Sequence, residues 1–536
     1  MKTLMKTGEK IFFLIVLFVF LALVVLYWGN TWDDSAITLA FSRNLAKYGD
    51  ITPSQFSDRV EGYSTALWMF INTGFFLLGL SEQSVLVLAK CISTFLTLIN
   101  ILLFWRLLQE NTTNGFYRFV FFILYVINLQ TVTAAVFGME TALYALLVMT
   151  SYLLFRKKND SRLAYFTFTA VASLLIIIRH EGPLFLIPFV LETIRVEPRR
   201  FWREPYLHVW AIVFLAYHAW HFAFFGEFLT NPMIAKRQPP YRPEFSSALD
   251  LFSYYLFPFS RFLAVYPFLV LLLAVYFIRL RNLRPAPVAS KQEWYLIYGI
   301  AFAGVFIMLV TGRSWNADAD RLSYPALSFT FLVIAGVLDR IPPEQLIPNG
   351  KGIYAFVFGL GMLLNMAAIV RSFTSNQQFH FTVEEFRRVT HLVTLTQEHL
   401  GMERVTFAGP DMGSLLLLDG DGKRIIDLGL LCNKPLAANG HGIVDEYVLQ
   451  QESPEIIEIH DNWVEPFETS EIFYEMYFPV QIVDGRNEGF FFIRKDLMAK
   501  LENAEETVFT PKKSIEPNLA RVLENYGKYV TVSIAQ

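Results

Sequence analysis

Apolar residues do not alternate with polar ones along most of this chain; they run in blocks. The first block, Ile11 to Trp28, follows Lys2, Lys6 and Lys10 and is unbroken. That is about the length a helix needs to cross a bilayer. A secretory leader has a shorter apolar stretch and a small-residue cleavage site, so the reading is an uncleaved first helix with a cytoplasmic N-terminus. Further blocks fall at 84–105, 117–136, 139–155, 164–178, 183–193, 207–225, 262–278, 294–312, 322–338 and 353–371. Arg and Lys concentrate in alternate connections: Arg106 and Arg118; Arg156, Lys157, Lys158 and Arg162; Arg195 to Arg203; Arg279 to Lys291; Arg340 and Lys351. With all eleven blocks spanning, every one of these connections lies inside and the C-terminus outside, as the positive-inside rule requires. The block 65–80 must then lie flat in the outer interface, because one more span would invert every later loop. Beyond residue 372 the pattern changes. Arg404–Ala408 and Gly489–Ile493 read as strands, and Tyr474–Val483 with the latter suggests a hairpin. The expected architecture is a polytopic all-α membrane domain over 1–372, its first outer loop at 29–83. A small extracytoplasmic α/β or α+β domain follows over 373–536.

Composition sharpens this picture. Of 536 residues 54% are hydrophobic and only 17% charged, against about 25% in soluble proteins. The net charge of −3 hides two regimes: the tail from 373 carries a balance of −12 and the rest +9. An acidic soluble part disfavours nucleic-acid binding. Cys91 and Cys432, the two cysteines, make neither a disulfide framework nor a zinc motif.

The topology sorts the polar motifs. Trp32-Asp33-Asp34, Arg59-Val60-Glu61-Gly62-Tyr63, Gly138-Met139-Glu140-Thr141, Arg179-His180-Glu181, Asn231 to Lys236 and Asp318 to Arg321 all fall at outer helix ends. Ionisable groups at membrane depth are costly and usually functional, so their convergence on one face suggests a site at the outer boundary. Adjacent carboxylates such as Asp33 and Asp34 do not both ionise freely unless solvated or paired. One of them can accept a proton from a substrate hydroxyl; a solvated helix end is the competing reading. Arg179 suits phosphate and Lys236 offers a point charge, though an interfacial anchor and an exposed lysine explain them equally. Arg321 pairs with Asp318 or Asp320 in the plainer reading. His218 and His221 lack a third ligand and read as packing histidines. Gly409-Pro410-Asp411-Met412-Gly413 lacks dinucleotide-site spacing, and Asp427-Leu428-Gly429 reads as structural.

Taken together, the motifs resemble a family. Asp33-Asp34-Ser35-Ala36-Ile37-Thr38, Arg43-Asn44-Leu45 and Arg59 to Trp68 resemble the first outer loop of bacterial GT-C glycosyltransferases, closest to the mycobacterial terminal β-(1→2)-arabinofuranosyltransferases. Gly138-Met139-Glu140-Thr141, Arg179-His180-Glu181-Gly182, Phe225 to Pro232 with Ala235-Lys236, Asp320-Arg321-Leu322-Ser323-Tyr324-Pro325 and Asp427 to Leu431 continue the resemblance in order. His180 stands where the family has proline, and Ala36 and Ala40 where it often has an aromatic residue and arginine.

The resemblance implies a GT-C fold and an inverting transfer of a sugar, arabinofuranose, from a polyprenyl-phosphate donor. The acceptor is a hydroxyl of an envelope glycan, lipid or secreted protein on the outer face of a bacterial inner membrane. It assigns Asp33 as general base with Asp34 as neighbour or substitute. Arg179, His180, Lys236 and Arg321 fall to the donor phosphate; Arg43, Glu61, Tyr63, Glu140, Asn231 and Asp320 fall to substrate. No organic cofactor is implied; a divalent cation stays open, since outer acids occur without ligand spacing. Lipid-linked mannose or aminoarabinose is the alternative donor. A transporter or flippase is the alternative class, predicting charges in mid-span, and a sensory membrane protein is a third.

Overall fold

The computed structural model describes residues 7–533 apart from 64, 197, 200, 240, 244, 266–290, 316–320, 340–358, 362, 365, 368–369, 372–382, 485–486, 502–503 and 511–514. Contacts divide the chain into two compact units. The first holds Met1–Gly29, Leu88–Tyr217 and Phe245–His380; the second holds Asn30–Val87, His218–Glu244 and Phe381–Gln536. The division expected at 372 follows sequence order. The contacts instead group the loop after the first helix and the segment around Asn231 with the C-terminal part.

The first unit is helical. Thr7–Leu26, Glu82–Asn111 and Pro205–Phe225 are long and apolar enough to cross a membrane. Ile11, Phe18 and Val25 of the first of these are more than half exposed, which a helix bathed in lipid tolerates and one bathed in water does not. The block 117–136 is broken into Gly115–Val126 and Leu129–Val136, bent by 46°. The break is local chemistry: Asn128 accepts from the Gln130 amide at 2.8 Å and restarts the helix. Thr141–Phe155, Arg162–Ile178 and Tyr324–Asp339 are shorter apolar helices of 15, 17 and 16 residues. The block at 183–193 becomes a 3₁₀ turn, Gly182–Leu186, followed by the helix Ile187–Val196. The blocks 262–278 and 353–371 lie largely outside the described residues. Aromatic edge contacts knit the core: Tyr152 meets Phe329 at 5.3 Å and Phe168 meets Trp210 at 5.6 Å.

The second unit is built on a mixed sheet. Its strands are β1 (Val405–Gly409), β2 (Lys423–Asp427), β3 (Ile456–Ile457), β4 (Tyr477–Asp484), β5 (Asn487–Arg494), β6 (Ala504–Val508) and β7 (Lys528–Ser533). Their order is β2-β1-β3-β5-β4-β7-β6. β1 lies parallel to both β2 and β3. β4 and β5 form the expected hairpin, Tyr477 opposite Arg494 through Asp484 opposite Asn487. It starts three residues later than the sequence suggests, because Glu471–Met476 is helical, capped by Ser470 on the Phe473 amide. The core joins Ala408, Ile426, Ile457, Phe473, Phe492 and Val522.

Two further helices belong to this unit. Ala66–Leu77, with 12 residues, spans about 18 Å at ~1.5 Å per residue, too short for a ~30 Å hydrocarbon core. Asp33–Tyr48 is polar yet buried from Ser35 to Asn44. It carries acids in its first turn, favoured by the helix dipole, and ends at Gly49 in the left-handed conformation, φ 73°.

Candidate functional site

The strand order places a topological switch at β1, because the chain leaves β1 for β2 on one side and returns to β3 on the other. Ligands of open parallel sheets collect where strand carboxyl ends meet such a switch. Here those ends carry Asp411 after β1, Asp427 closing β2 and Glu458 after β3.

The Asp33 carboxylate comes to the same point. Oδ2 accepts from the Gly413 amide at 2.8 Å and Oδ1 from the Ser414 amide at 2.9 Å. The short helix Gly413–Asp419 has no side-chain cap of its own, so Asp33 satisfies two of its orphan donors. A Cβ on Gly413 would run into the Asp33 backbone and carboxylate. Asp33 is 4% exposed. Burial pushes its carboxyl well above the usual range, Asp411 and Asp34 add to this, and the Gly413 and Ser414 amides oppose it. Asp34, next in the helix, is half-buried.

Asp427 is held in a turn. Its oxygens accept from the Gly429 amide at 2.8 Å and the Cys432 amide at 2.7 Å. Burial, with help from Asp411, pushes it up to about 6 against those amides. Leu430 adopts φ 67°, a strained conformation for leucine. The turn is clamped by Asn231, whose side-chain amide donates to Leu430 O at 2.9 Å and Leu431 O at 2.8 Å. His460 lies between Asp411 Oδ2 at 3.0 Å and Glu458 Oε1 at 2.9 Å. Burial alone would lower its pKa; the two carboxylates raise it to about 11.

Glu61 is buried and pairs through Oε2 with His221 Nε2. Its Oε1, like Thr230 Oγ1, has no hydrogen-bond partner among the described residues. An orphaned buried carboxylate oxygen is expensive and is a place for a ligand hydroxyl. Gly62 packs so tightly on Cys432 and Phe41 that a Cβ would collide with the Cys432 sulfur. Tyr63 is buried with its ring 5.1 Å from Phe41. Arg43 is buried, donates to Leu417 O at 2.7 Å and lies 3.6 Å from Asp421. Lys236 follows the one-turn helix Asn231–Ala235 and is half-buried.

The first unit holds its own cluster. Arg179, 5% exposed, forms ion pairs with Glu140 and Glu181. His180 beside it is half-buried. Arg321 reaches Met139 Sδ at 3.4 Å, so Arg179 and Arg321 attach to the adjacent residues Glu140 and Met139. Lys90, 4% exposed, donates to Trp28 O and lies 5.0 Å from the Trp28 ring centre. Its stem passes Gly138, where a Cβ would sit 3.3 Å from Lys90 Cγ. Asp318 and Asp320 lie outside the described residues.

Sequence reasoning missed Lys90, Asp411, His460 and the pairing of His221. Lys90 could have been found as a lone lysine inside an apolar block. Asp411 and His460 meet only through the sheet, and His221 meets Glu61 across 160 residues of sequence. Among the described residues no three His, Cys, Asp or Glu side chains converge to hold a metal ion.

No family model and no curated protein matches the chain. Among solved structures it is similar to ArnT from Cupriavidus metallidurans bound to undecaprenyl phosphate, at 14% identity and a TM-score of 0.47, over 92% of this chain and 99% of that one.

Proposed function

We propose that this chain is a GT-C type inverting glycosyltransferase that uses a polyprenyl-phosphate sugar and works at the outer face of the bacterial inner membrane. Arabinofuranose is the proposed sugar, and an envelope glycan, lipid or protein hydroxyl the acceptor. The ordered motifs of the sequence support the class. The observation that carries the mechanism is the unequal treatment of the two aspartates: Asp33 is spent on the Gly413 and Ser414 amides, while Asp34 is half-buried beside it.

In this reading Asp33 is a positioning residue and Asp34 the base. The Asp34 carboxylate accepts the acceptor hydroxyl proton as that oxygen bonds the anomeric carbon. The bond from that carbon to the phosphate oxygen breaks, and polyprenyl phosphate leaves with the electron pair. A general base of this kind contributes about 10²–10⁴-fold. Charge building on the phosphate calls for cations; Arg179, Arg321 and Lys236 are assigned this task, with Lys90 added and His180 as hydrogen-bond donor. Arg179 is held in place for this task by Glu140 and Glu181. Glu61, Tyr63 and Glu140 are assigned to sugar hydroxyls, Asn231 and Arg43 to holding the loops. The membrane location suits the donor, since each buried CH₂ of a prenyl tail is worth ~0.8 kcal/mol.

The test is release of prenyl phosphate from short-chain prenyl-phosphate arabinofuranose, aminoarabinose and mannose by the full chain in detergent. Release from the first supports the reading. Release only from another donor moves the sugar assignment, and release from none by folded protein removes the enzyme class.

A further inference from the structure

The second unit contains a cavity of about 290 Å³ between the loop Ser57–Val60, the strand residues Arg424–Ile426, the segment Cys432–Pro435 and Tyr447. No role in the transfer chemistry has been assigned to it. Its volume is at the lower end of ligand pockets, roughly 300–1,000 Å³, which is the scale of a small ligand unit and not of a prenyl chain.

The two arginines of the wall are already matched by carboxylates. Arg424 is bidentate to Glu452 at 2.8 Å on both oxygens and reaches Asp58 at 3.0 Å. Arg59 holds Asp50 at 2.7 Å and lies 5.0 Å from the Phe224 ring centre. Lys434 donates to Phe225 O. An anion entering here would compete with carboxylates in place, and a cation would meet three basic side chains. The Ser57 hydroxyl is taken up by Ile425 and Ser54, which leaves the Asn433 amide in the wall and the Asp58 carboxylate at the mouth as the polar groups, set among the apolar Val60, Ile426 and Pro435. Planar polar groups for hydroxyls and an apolar wall for a C–H face are the two demands of a sugar ring.

The wall is also built in an uncommon way. Tyr447 and Glu452 both come from a nine-residue π-helix, Val444–Glu452. π-helical segments are mostly single turns and gather at functional sites. Asn433 donates to Tyr447 Oη at 3.1 Å, fixing both on that wall. Cys432 connects the cavity to the aspartates: it is buried against Gly62 and its backbone N–H donates to Asp427 Oδ2. Burial raises its thiol, and the charges of Asp427, Asp34 and Asp33 add to that.

We infer that this cavity is an acceptor subsite that holds an uncharged saccharide unit, presenting its neighbouring hydroxyl toward Asp34. The inference rests on the transferase reading for the word acceptor; the binding itself does not. Asp58 is 79% exposed at the mouth, so Asp58→Trp fills the entrance without disturbing the core.

The experiment titrates the purified full chain in detergent, without donor, with neutral arabinofuranose and mannose tri- and tetrasaccharides, and with a glucuronate-containing tetrasaccharide. Binding is read by saturation-transfer NMR and calorimetry. At least one neutral oligosaccharide is expected to bind, weakened tenfold or more by Asp58→Trp and less by Asp58→Asn, while Lys528→Ala on the sheet edge leaves it unchanged. Equal binding to wild type and Asp58→Trp, preference for the uronate, or no binding to folded wild type overturns the subsite. Prenyl-phosphate release measured alongside separates the two claims. Turnover with binding insensitive to Asp58→Trp removes the subsite alone. Blocked saccharide binding without turnover of any donor removes the transferase reading alone.

Discussion

Replacing Asp33 and Asp34 one at a time separates support from chemistry. Asp33→Ala deletes both acceptors of the Gly413 and Ser414 amides, bonded at 2.8 and 2.9 Å in a site where Asp33 is 4% exposed. A buried donor left unsatisfied costs about 1–3 kcal/mol. Two of them would cost about 2–6 kcal/mol, less what the chain recovers by releasing a carboxylate that burial disfavours. The expected loss is therefore about 2–4 kcal/mol, at or above the ~2 kcal/mol upper end of single-cap deletions because two donors are stranded. Asp33→Asn keeps one acceptor and sets its NH₂ against the other amide, so it falls between. Asp34→Asn leaves both cap bonds intact and keeps the side chain's shape, so it should cost less stability than Asp33→Ala. Turnover should run the other way. Asp34→Asn loses about 10²–10⁴-fold in kcat with donor binding retained, whereas Asp33→Asn loses activity only in proportion to its unfolded or misplaced fraction. Thermal unfolding in detergent, followed by prenyl-phosphate release at a temperature where each variant is folded, reads both quantities. The reasoning is refuted if Asp34→Asn turns over normally while a fully folded Asp33→Asn does not.

Other expectations come from the same contacts. Gly413→Ala, which sets a methyl against Asp33, should destabilise by about 1–3 kcal/mol, and pairing it with Asp33→Ala should cost less than the sum in a double-mutant cycle. Arg179→Met strands the buried Glu140 and the 10% exposed Glu181, and should cost about 3–5 kcal/mol in urea or thermal unfolding of the detergent-solubilised chain; adding Glu140→Gln should recover part of it. His460, raised to about 11 by Glu458 and Asp411 against its burial, binds a proton more tightly folded than unfolded. Its contribution is complete below the unfolded value of about 6.5 and fades as pH rises toward 11, with a slope approaching ~1.4 kcal/mol per pH unit. His460→Asn should remove that slope from a Tm-against-pH series; an unchanged slope contradicts the clamp.

Much of the fold was readable because its causes are local. The apolar block from Ile11 needs no partner to become the helix Thr7–Leu26, and the short aromatic run 489–493 suffices for a strand within Asn487–Arg494. The hairpin start was misplaced because Ser470 caps a helix, a one-residue signal easily outweighed by the apolar run behind it. The span 117–136 was read whole because one asparagine, Asn128, decides the break. Asp33 and Asp34 were legible as unusual, but the capping role of Asp33 was not. It depends on Gly413 and Ser414, 380 residues away, which meet them only once β1 and its following helix exist. For the same reason Asn231 looked like a substrate ligand, whereas its amide clamps the turn at Leu430 and Leu431.

The central claim is that a sugar leaves a prenyl phosphate and is captured by an acceptor hydroxyl. The most direct measurement follows prenyl-phosphate arabinofuranose by phosphorus and carbon NMR with the full chain and a neutral oligosaccharide acceptor. The account predicts one prenyl phosphate released per new glycosidic bond, with inverted anomeric configuration, and neither product with Asp34→Asn. Intact donor recovered after incubation with folded wild type, or moved across a vesicle bilayer without bond cleavage, would contradict it.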